Sequence, residues 1–354
     1  MRKVGLGDSI NGSILARTIF TLDNDVLLTA GTVLTSRVIK KLLDYGITEV
    51  YIEDEMSQGI AVPETIKEEI LTMVKSQVKA MMTLPEIKTS VDVNKVTELI
   101  EKLLTEILKS DDVIINLSDI RSIDDYTFSH SVNVSIFSLI TGITLDFSRE
   151  SLKDLGIGSL LHDVGKVMID KKLLDKPSVL TLSEYEEVKR HTFYGYDILR
   201  NSPGIGPMAH SIALYHHERV DGSGYPYSLK GRDIPLAARI TAVADVYDAL
   251  TTTRSYRKGM HPSHVIDYMY SLSDKHFDSR ILKAFFQHIA NYPIGTGVIL
   301  NTGEKGIISE YNHVMPNRPV VRILFDAKGN KLSRYIERDL SRKPECRIVD
   351  VWDF

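Results

Sequence analysis

Five of the histidines and two of the aspartates between residues 130 and 245 are candidates for binding divalent metal ions. They are His130, His162, Asp163, His191, His216, His217 and Asp245. Two pairs are adjacent in the chain, and the second pair opens the stretch HHERVDGSGYP. Side chains on successive helices can meet in the core of a bundle, which is where helical proteins build metal sites. Their convergence predicts a dinuclear metal site.

Considered one at a time, several of these residues could have structural roles that involve no metal. His130 lies in an apolar segment and could be a hydrogen-bonded core histidine. His191 follows the charged stretch EEVKR and could be solvated beside it, and Asp245 could face water from its helix. A single His-Asp pair carries little information, so only the whole series favours the metal interpretation.

The residue types indicate which chemistry such a site would perform. Nitrogen and oxygen ligands without thiolate favour iron, manganese or a similar divalent ion. Asp163 is the candidate bridge between two ions about 3.5 to 4 Å apart, where a metal-bridging hydroxide can attack phosphorus. Lys166 would offset developing negative charge, and Arg254 and Arg257 could grip a phosphate. Without the metal site, Lys166 would be interpreted as a surface lysine, and Arg254 and Arg257 as part of a solvated basic turn. The pattern predicts hydrolysis of a phosphate ester.

Composition limits the class of protein. With 354 residues, 43% hydrophobic and 25% charged, the sequence predicts a soluble protein of two or three domains. Neither a signal peptide nor an apolar stretch long enough to span a bilayer is recognisable, so the cytoplasm is the expected location. Cys346 is the single cysteine, which excludes a disulfide framework and a thiolate metal site. The net charge of -4 argues against binding to nucleic acid.

Periodicity predicts a mainly α protein in four segments. These are a small α+β module (1–54), a helical linker and packing region (55–118), a helical catalytic domain (119–292) and a small β extension (293–354). The runs ILARTIF, DVLLTAG and EVYIE predict strands in the first module, with one amphipathic helix before Gly46. Ser151 with Asp154, and Thr181 with Glu184, predict capping boxes at two helix starts.

These motifs resemble the HD-GYP domain, the branch of the HD phosphohydrolase superfamily that hydrolyses cyclic di-GMP in bacteria. The resemblance covers roughly residues 120 to 290 and is specific because the motifs follow one another in order. The matching residues are Asp124, Tyr126, Thr127 and His130; His162, Asp163, Gly165 and Lys166; His191 and Gly195; the HHERVDGSGYP stretch; Asp245, Asp248, Ala249 and Leu250; and Arg254, Tyr256 and Arg257.

The resemblance implies a role for each site residue. The seven histidines and aspartates would be the metal ligands, with Asp163 bridging, and Lys166, Arg254 and Arg257 would contact the substrate phosphates. Asp221, Gly222 and Tyr225 belong to the GYP loop, which the family links to guanine-nucleotide binding and to partners such as diguanylate cyclase domains. Tyr225 could equally be a packing residue. A homodimer is also an expectation.

The favoured function is hydrolysis of cyclic di-GMP to pGpG, and onward to GMP. One alternative keeps the metal site but changes the substrate to cyclic GMP-AMP or a nucleotide monoester. Another is a weakly catalytic cyclic di-GMP receptor or scaffold, against which the intact ligand set argues. Some family members hold a third ion on a glutamate at the position of Tyr126, and a phenol is a poor ligand for a hard cation. Two divalent ions per chain are therefore expected.

Overall fold

The computed structural model describes residues 1–21, 25–64, 66–109, 126–252, 259–312, 315 and 317–352. The α-helices are α1 (Ser36–Asp44), α2 (Glu68–Met82), α3 (Val93–Ile107), α4 (Tyr126–Thr144), α5 (Arg149–Leu160), α6 (Lys171–Leu174), α7 (Leu182–Lys189), α8 (His191–Arg200), α9 (Pro207–Tyr215), α10 (Leu236–Thr251), α11 (Pro262–Ser271) and α12 (Ser279–Phe286). The strands are β1 (Arg2–Gly5), β2 (Ile14–Leu15), β3 (Ile19–Phe20), β4 (Val26–Leu28), β5 (Glu49–Glu53), β6 (Gly297–Leu300), β7 (Lys305–Glu310), β8 (Val320–Phe325), β9 (Lys331–Asp339) and β10 (Ile348–Val351). The predicted class, mainly α with small sheets near both ends, is confirmed.

The described chain divides into two compact units. One unit contains the described residues within 1–72 and 289–352, and the other contains those within 73–109 and 126–288. The predicted limits at residues 54 and 292 stay a prediction, and the limit at 118 lies outside the described residues. None of the helices in the described ranges is both long enough and apolar enough to cross a membrane.

The first unit contains antiparallel sheets. A three-stranded sheet has the order β1-β5-β2, and α1 buries Ile39 and Leu42 in the same apolar cluster as Leu15 and Leu34. The chain leaves α1 through Gly46 at a φ of 78°, a left-handed angle that glycine adopts without a steric penalty. The three runs predicted as strands near the start of the sequence do contain strands, although ILARTIF contains two of them, β2 and β3, and β1 was not predicted. The C-terminal β extension is a five-stranded sheet with the order β10-β6-β7-β8-β9.

The second unit is a helical bundle built around α4. This helix is buried along most of its length and packs against α5, α10 and α12. The rings of Phe137, Tyr247 and Phe285, one from each of α4, α10 and α12, lie with centroids 5.0 to 5.7 Å apart. Tilted and edge-on contacts of this kind stabilise a core beyond the area that they bury. These ring contacts fix the positions of α4 and α10, which carry His130 and Asp245.

One of the two predicted capping boxes is present at the start of its helix, and the other is not. Thr181 and Glu184 form the predicted capping box, in which each side chain accepts from the backbone N–H of the other residue. The capping box predicted at Ser151 and Asp154 is wrong. Ser148 caps α5 instead, and its side chain accepts from the N–H of Ser151. The two serines are three residues apart, so the pattern allows either one to serve as the cap.

Candidate metal centre

The seven predicted ligands come from five segments of the chain and converge inside the helical unit. His130 lies on α4, and His162 and Asp163 follow the end of α5. The others lie at the start of α8, the end of α9 and the middle of α10, and they are His191, His216, His217 and Asp245. Their ligand atoms fall into two groups: Asp163 with His191, His216 and His217, and His130 with His162 and Asp245. Within each group these atoms lie within 4.8 Å of one another.

Asp163 faces both groups. Its Oδ2 lies 3.3 Å from Nε2 of His162. Its Oδ1 lies 3.4 Å from Nε2 of His191 and 3.7 Å from Nε2 of His216. One carboxylate therefore directs one oxygen to each group, which is the arrangement that a bridging ligand requires.

The histidine rings are oriented by hydrogen bonds on the side away from the site. Nδ1 of His162 lies 2.8 Å from the carbonyl of Ser159, and Nδ1 of His191 lies 2.6 Å from that of Val188. Nδ1 of His216 faces the carbonyl of Ile212 at 3.0 Å. A ring that donates Nδ1–H to a carbonyl keeps the lone pair of Nε2 for a metal.

The inward-facing atoms fit a divalent cation. Nε2 of His162, His191 and His216 and Oδ1 of Asp163 are buried and have no hydrogen-bond partner among the described residues. Buried polar atoms without a partner are rare in folded proteins and call for an explanation. Nε2 of His191 and of His216 with Oδ1 of Asp163 in one group, and Nε2 of His162 in the other, are suitable ligand atoms for divalent metal ions.

The charge states of four of the candidate ligands, His191, His217, Asp163 and Asp245, also suit metal binding. Burial lowers the pKa of His191 to about 4, despite the nearby Asp163, and burial also holds the pKa of His217 well below its ordinary value. Burial alone would raise the pKa of Asp163 and Asp245, but neighbouring cationic groups, Lys166 and His130 first among them, outweigh it and lower both. Neutral imidazoles and ionised carboxylates are the forms that bind a cation.

Asp248 is a residue of this site to which the sequence assigned no role. Its Oδ2 lies 2.7 Å from Nδ1 of His130, and its Oδ1 accepts from Nδ2 of Asn133 at 2.8 Å. Nε2 of His130 then faces Asp245 at 3.2 Å. Burial lowers the pKa of His130, but hydrogen bonds to the two aspartates outweigh it and raise that pKa to about 9. The signal in the sequence was the D-x-x-D spacing, which places both aspartates on α10.

Gly165 allows the segment after Asp163 to approach α8. A Cβ atom at this position would lie 1.9 Å from the carbonyl oxygen of His191 and 2.4 Å from the backbone nitrogen of Gly195. No side chain fits such a distance. The glycine of the HD-x-x-K motif therefore allows two metal-ligand segments to come together. In the same turn, Lys166 Nζ lies 2.5 Å from Oδ2 of Asp163.

The loop after His217 is folded around a second residue that sequence reasoning missed. Glu218 is buried, and its carboxylate accepts from the N–H groups of Tyr227 at 2.7 Å and Leu229 at 3.0 Å. A Cβ atom at Gly224 would lie within 2.5 Å of backbone atoms of His217 and Glu218. The glutamate of HHE thus holds the loop together, and its position beside two histidines was the only signal of this role in the sequence.

The predicted loop residues occupy different environments. Tyr225 packs its ring 4.7 Å from that of His217, at 31° between the planes. Gly222 has a φ of 85°, and the exposed Asp221 uses its carboxylate to accept from the N–H of Ser223 at 2.8 Å. Tyr225 thus borders the ligand set. Arg254 and Arg257 lie outside the described residues, as does the side chain of Tyr126.

Two family models match the chain. The HD domain model matches residues 118–281. A model of a KOW domain associated with the HD domain matches residues 297–354. The first contains the seven ligand positions, and the second contains strands β6 to β10.

Several characterised proteins are similar in sequence. Cyclic di-GMP phosphodiesterase PA4108 from Pseudomonas aeruginosa is 31% identical over 303 residues, which cover 83% of this chain and 73% of that protein. The response regulator RpfG from Xanthomonas campestris, also a cyclic di-GMP phosphodiesterase, is 41% identical over 40% of this chain and 38% of its own length. The 3'3'-cGAMP-specific phosphodiesterase 2 from Vibrio cholerae is 40% identical over 37% of this chain and 25% of its own length.

Proposed function

The chain belongs to the HD-GYP family of cyclic di-GMP phosphodiesterases, and we propose that it hydrolyses cyclic di-GMP to pGpG with two divalent metal ions. The observation that carries the proposal is the position of Asp163, whose two oxygens face the two groups of candidate ligands. Onward cleavage of pGpG to GMP belongs to the same proposal.

Each ligand group would hold one ion. His191, His216 and His217 would complete one site with Asp163, and His130, His162 and Asp245 would complete the other. Ions bound in such pairs activate water and offset negative charge on the phosphoryl oxygens. The nitrogen and oxygen donors favour iron or manganese. Elemental analysis of purified protein is expected to give two ions per chain, and three fully occupied ions would contradict this count.

The chain's own cations would bind the substrate phosphates. Lys166 is partly exposed beside Asp163, so its ammonium can reach both the carboxylate and a ligand. Arg254 and Arg257 are proposed to grip phosphate through charge-assisted hydrogen bonds. Tyr225, Gly222 and Asp221 are proposed to shape the substrate side of the site. Contacts of their loop with diguanylate cyclase domains, and a homodimer, remain predictions.

The direct test is a turnover assay. Metal-stripped protein, and protein reloaded with Mn²⁺ or Fe²⁺, would be incubated with cyclic di-GMP, and products would be separated by chromatography. We expect pGpG only from the reloaded protein, and no turnover from Asp163→Ala. Turnover of cyclic di-GMP at the full rate by metal-free protein or by Asp163→Ala would reject the proposal.

A second substrate is supported by two of the similar proteins. Both are 3'3'-cGAMP-specific phosphodiesterases from Vibrio cholerae, 40% and 35% identical over 37% and 50% of this chain. Cyclic GMP-AMP differs from cyclic di-GMP in one base, while the phosphodiester bonds are the same. Both compounds should therefore be assayed together at equal concentration. A higher kcat/KM for cyclic GMP-AMP would make it the preferred substrate and leave the metal site as proposed.

A further inference from the structure

Helix α7 places a tyrosine and a lysine beside the candidate metal centre, outside every motif that identifies the family. Tyr185 is 47% exposed, and its ring lies 6.5 Å from that of Tyr225 at 77° between the planes. Nζ of Lys189 lies 5.3 Å from the ring of Tyr185 and 5.6 Å from that of Tyr225. The rings of Tyr185 and Tyr225, with the ammonium of Lys189 between them, form a corner at the surface of the site.

This corner is continuous with the metal ligands. Tyr225 packs against His217 with ring centroids 4.7 Å apart, and His217 belongs to the group of candidate ligands that contains Asp163. A ligand whose phosphate reaches the metal group can extend past Tyr225 to Tyr185. The corner therefore lies where a group attached to the phosphate would be placed.

The chemistry of the corner favours a purine with acceptors on one edge. Exposed aromatic rings stack on nucleic-acid bases. Lys189 is held in place by both rings and by Glu186, whose carboxylate lies 2.6 Å from its ammonium. An ammonium has three donors, so donors remain for a ligand. Guanine presents N7 and O6 as two acceptors on one edge, whereas adenine presents an acceptor and a donor.

We infer that Tyr185 and Lys189 form the guanine subsite of this enzyme. Tyr185 stacks on the base, and Lys189 donates to its N7 and O6 edge and so discriminates guanine from adenine. The inference rests on the proposed function for the placement of a nucleotide phosphate at the metals. It adds two specificity-determining residues from α7 to the residues of the family motifs.

The test compares GMP with AMP by isothermal titration calorimetry on the Mn²⁺-loaded full chain. The two ligands carry the same phosphate and sugar, so the contribution of the metals cancels in the ratio of their Kd values. We expect the wild type to bind GMP at least about 5-fold more tightly than AMP. Lys189→Met, which keeps the apolar stem, should bring the ratio near one. Tyr185→Ala should raise the Kd values of both ligands about 5- to 100-fold, whereas Tyr185→Phe should keep them at wild-type values.

Matched controls separate these effects from general damage. Tyr268 on α11 has the same exposed fraction of 47%, and Lys172 is an exposed lysine of α6. Tyr268→Ala and Lys172→Met should leave both Kd values at wild-type levels. The inference is overturned if the wild type does not prefer GMP, if Lys189→Met keeps the preference, or if Tyr185→Ala binds as well as the wild type. GMP preference without hydrolysis of cyclic di-GMP would reject the proposed function alone, and hydrolysis without the preference would reject the subsite alone.

Discussion

Asp248 holds Nδ1 of His130 at 2.7 Å, although the two residues are 118 positions apart in the chain. Asn133 donates to the other oxygen of the same carboxylate at 2.8 Å. The ring is thereby turned so that Nε2 faces Asp245, which belongs to the same ligand group. Asp248 positions a ligand without belonging to the ligand group itself, and such partners contribute strongly to metal affinity.

Asp248→Asn should therefore weaken metal binding at the group of His130, His162 and Asp245. The new NH₂ group would oppose either the amide of Asn133 or the ring N–H of His130, so one buried donor would lose its acceptor. We expect an affinity loss of about 10- to 100-fold for one of the two proposed ions. Competition with a metal-binding dye would measure it. Asp267→Asn, at an exposed position of α11, is the control, and unchanged affinity in Asp248→Asn would show that this carboxylate does not position the ring.

Lys166→Met should reduce turnover of cyclic di-GMP while leaving both ions bound. The substitution keeps the length of the side chain and removes the charge that the substrate phosphate would meet. Loss of one such electrostatic donor lowers kcat by about 100- to 1,000-fold in well-studied enzymes. Steady-state kinetics and elemental analysis on the same sample would separate the two effects. If metal content fell with activity, as expected for Asp163→Ala, Lys166 would be a residue that maintains the metal site rather than a substrate contact.

Glu218→Gln should destabilise the protein through the loop that carries Tyr225. The carboxylate accepts from two backbone N–H groups, and a glutamine presents one oxygen and one NH₂ group to them. One partly buried N–H would be left without an acceptor, at a cost of about 1–3 kcal/mol. Urea unfolding at pH 7 would measure the change, with Glu86→Gln at an exposed position as the comparison. Equal free energies of unfolding for the two variants would contradict this role.

Glu184→Gln should lower stability at neutral pH but not at strongly acidic pH. Hydrogen bonds from Lys176 and from the N–H of Thr181 lower the pKa of Glu184 from 4.5 to about 2. Because the pKa is lower in the folded state, the stabilisation is complete above pH 4.5 and is lost as the pH falls towards 2. The difference in free energy of unfolding between wild type and variant should therefore close across this range. Denaturant titrations followed by circular dichroism at several pH values would test it, and a constant difference down to pH 2 would count against it.

The sequence by itself determined the classes of local structure and the set of candidate ligands. Strands β2 to β5 and the sheet after residue 296 follow from period-two patterns, which depend only on neighbouring residues. The capping box of Thr181 and Glu184 formed as predicted, because its two hydrogen bonds join residues three apart. The cap at α5 was misplaced by three residues because Ser148 and Ser151 are equally good caps when only the local sequence is considered.

Tertiary structure alone decided how those residues act on one another. No local pattern states which oxygen of Asp163 faces His162 and which faces His191, because that depends on how α5, α8 and α9 pack. Nor does the spacing of residues pair Asp248 with His130, or bring Lys189 between Tyr185 and Tyr225. Asp163 and His191 are 28 positions apart in the chain, Lys189 and Tyr225 are 36 apart, and His130 and Asp248 are 118 apart. Helical periodicity fixes which face a side chain occupies, but only the packed bundle sets the distances and the desolvation that give the site its chemistry.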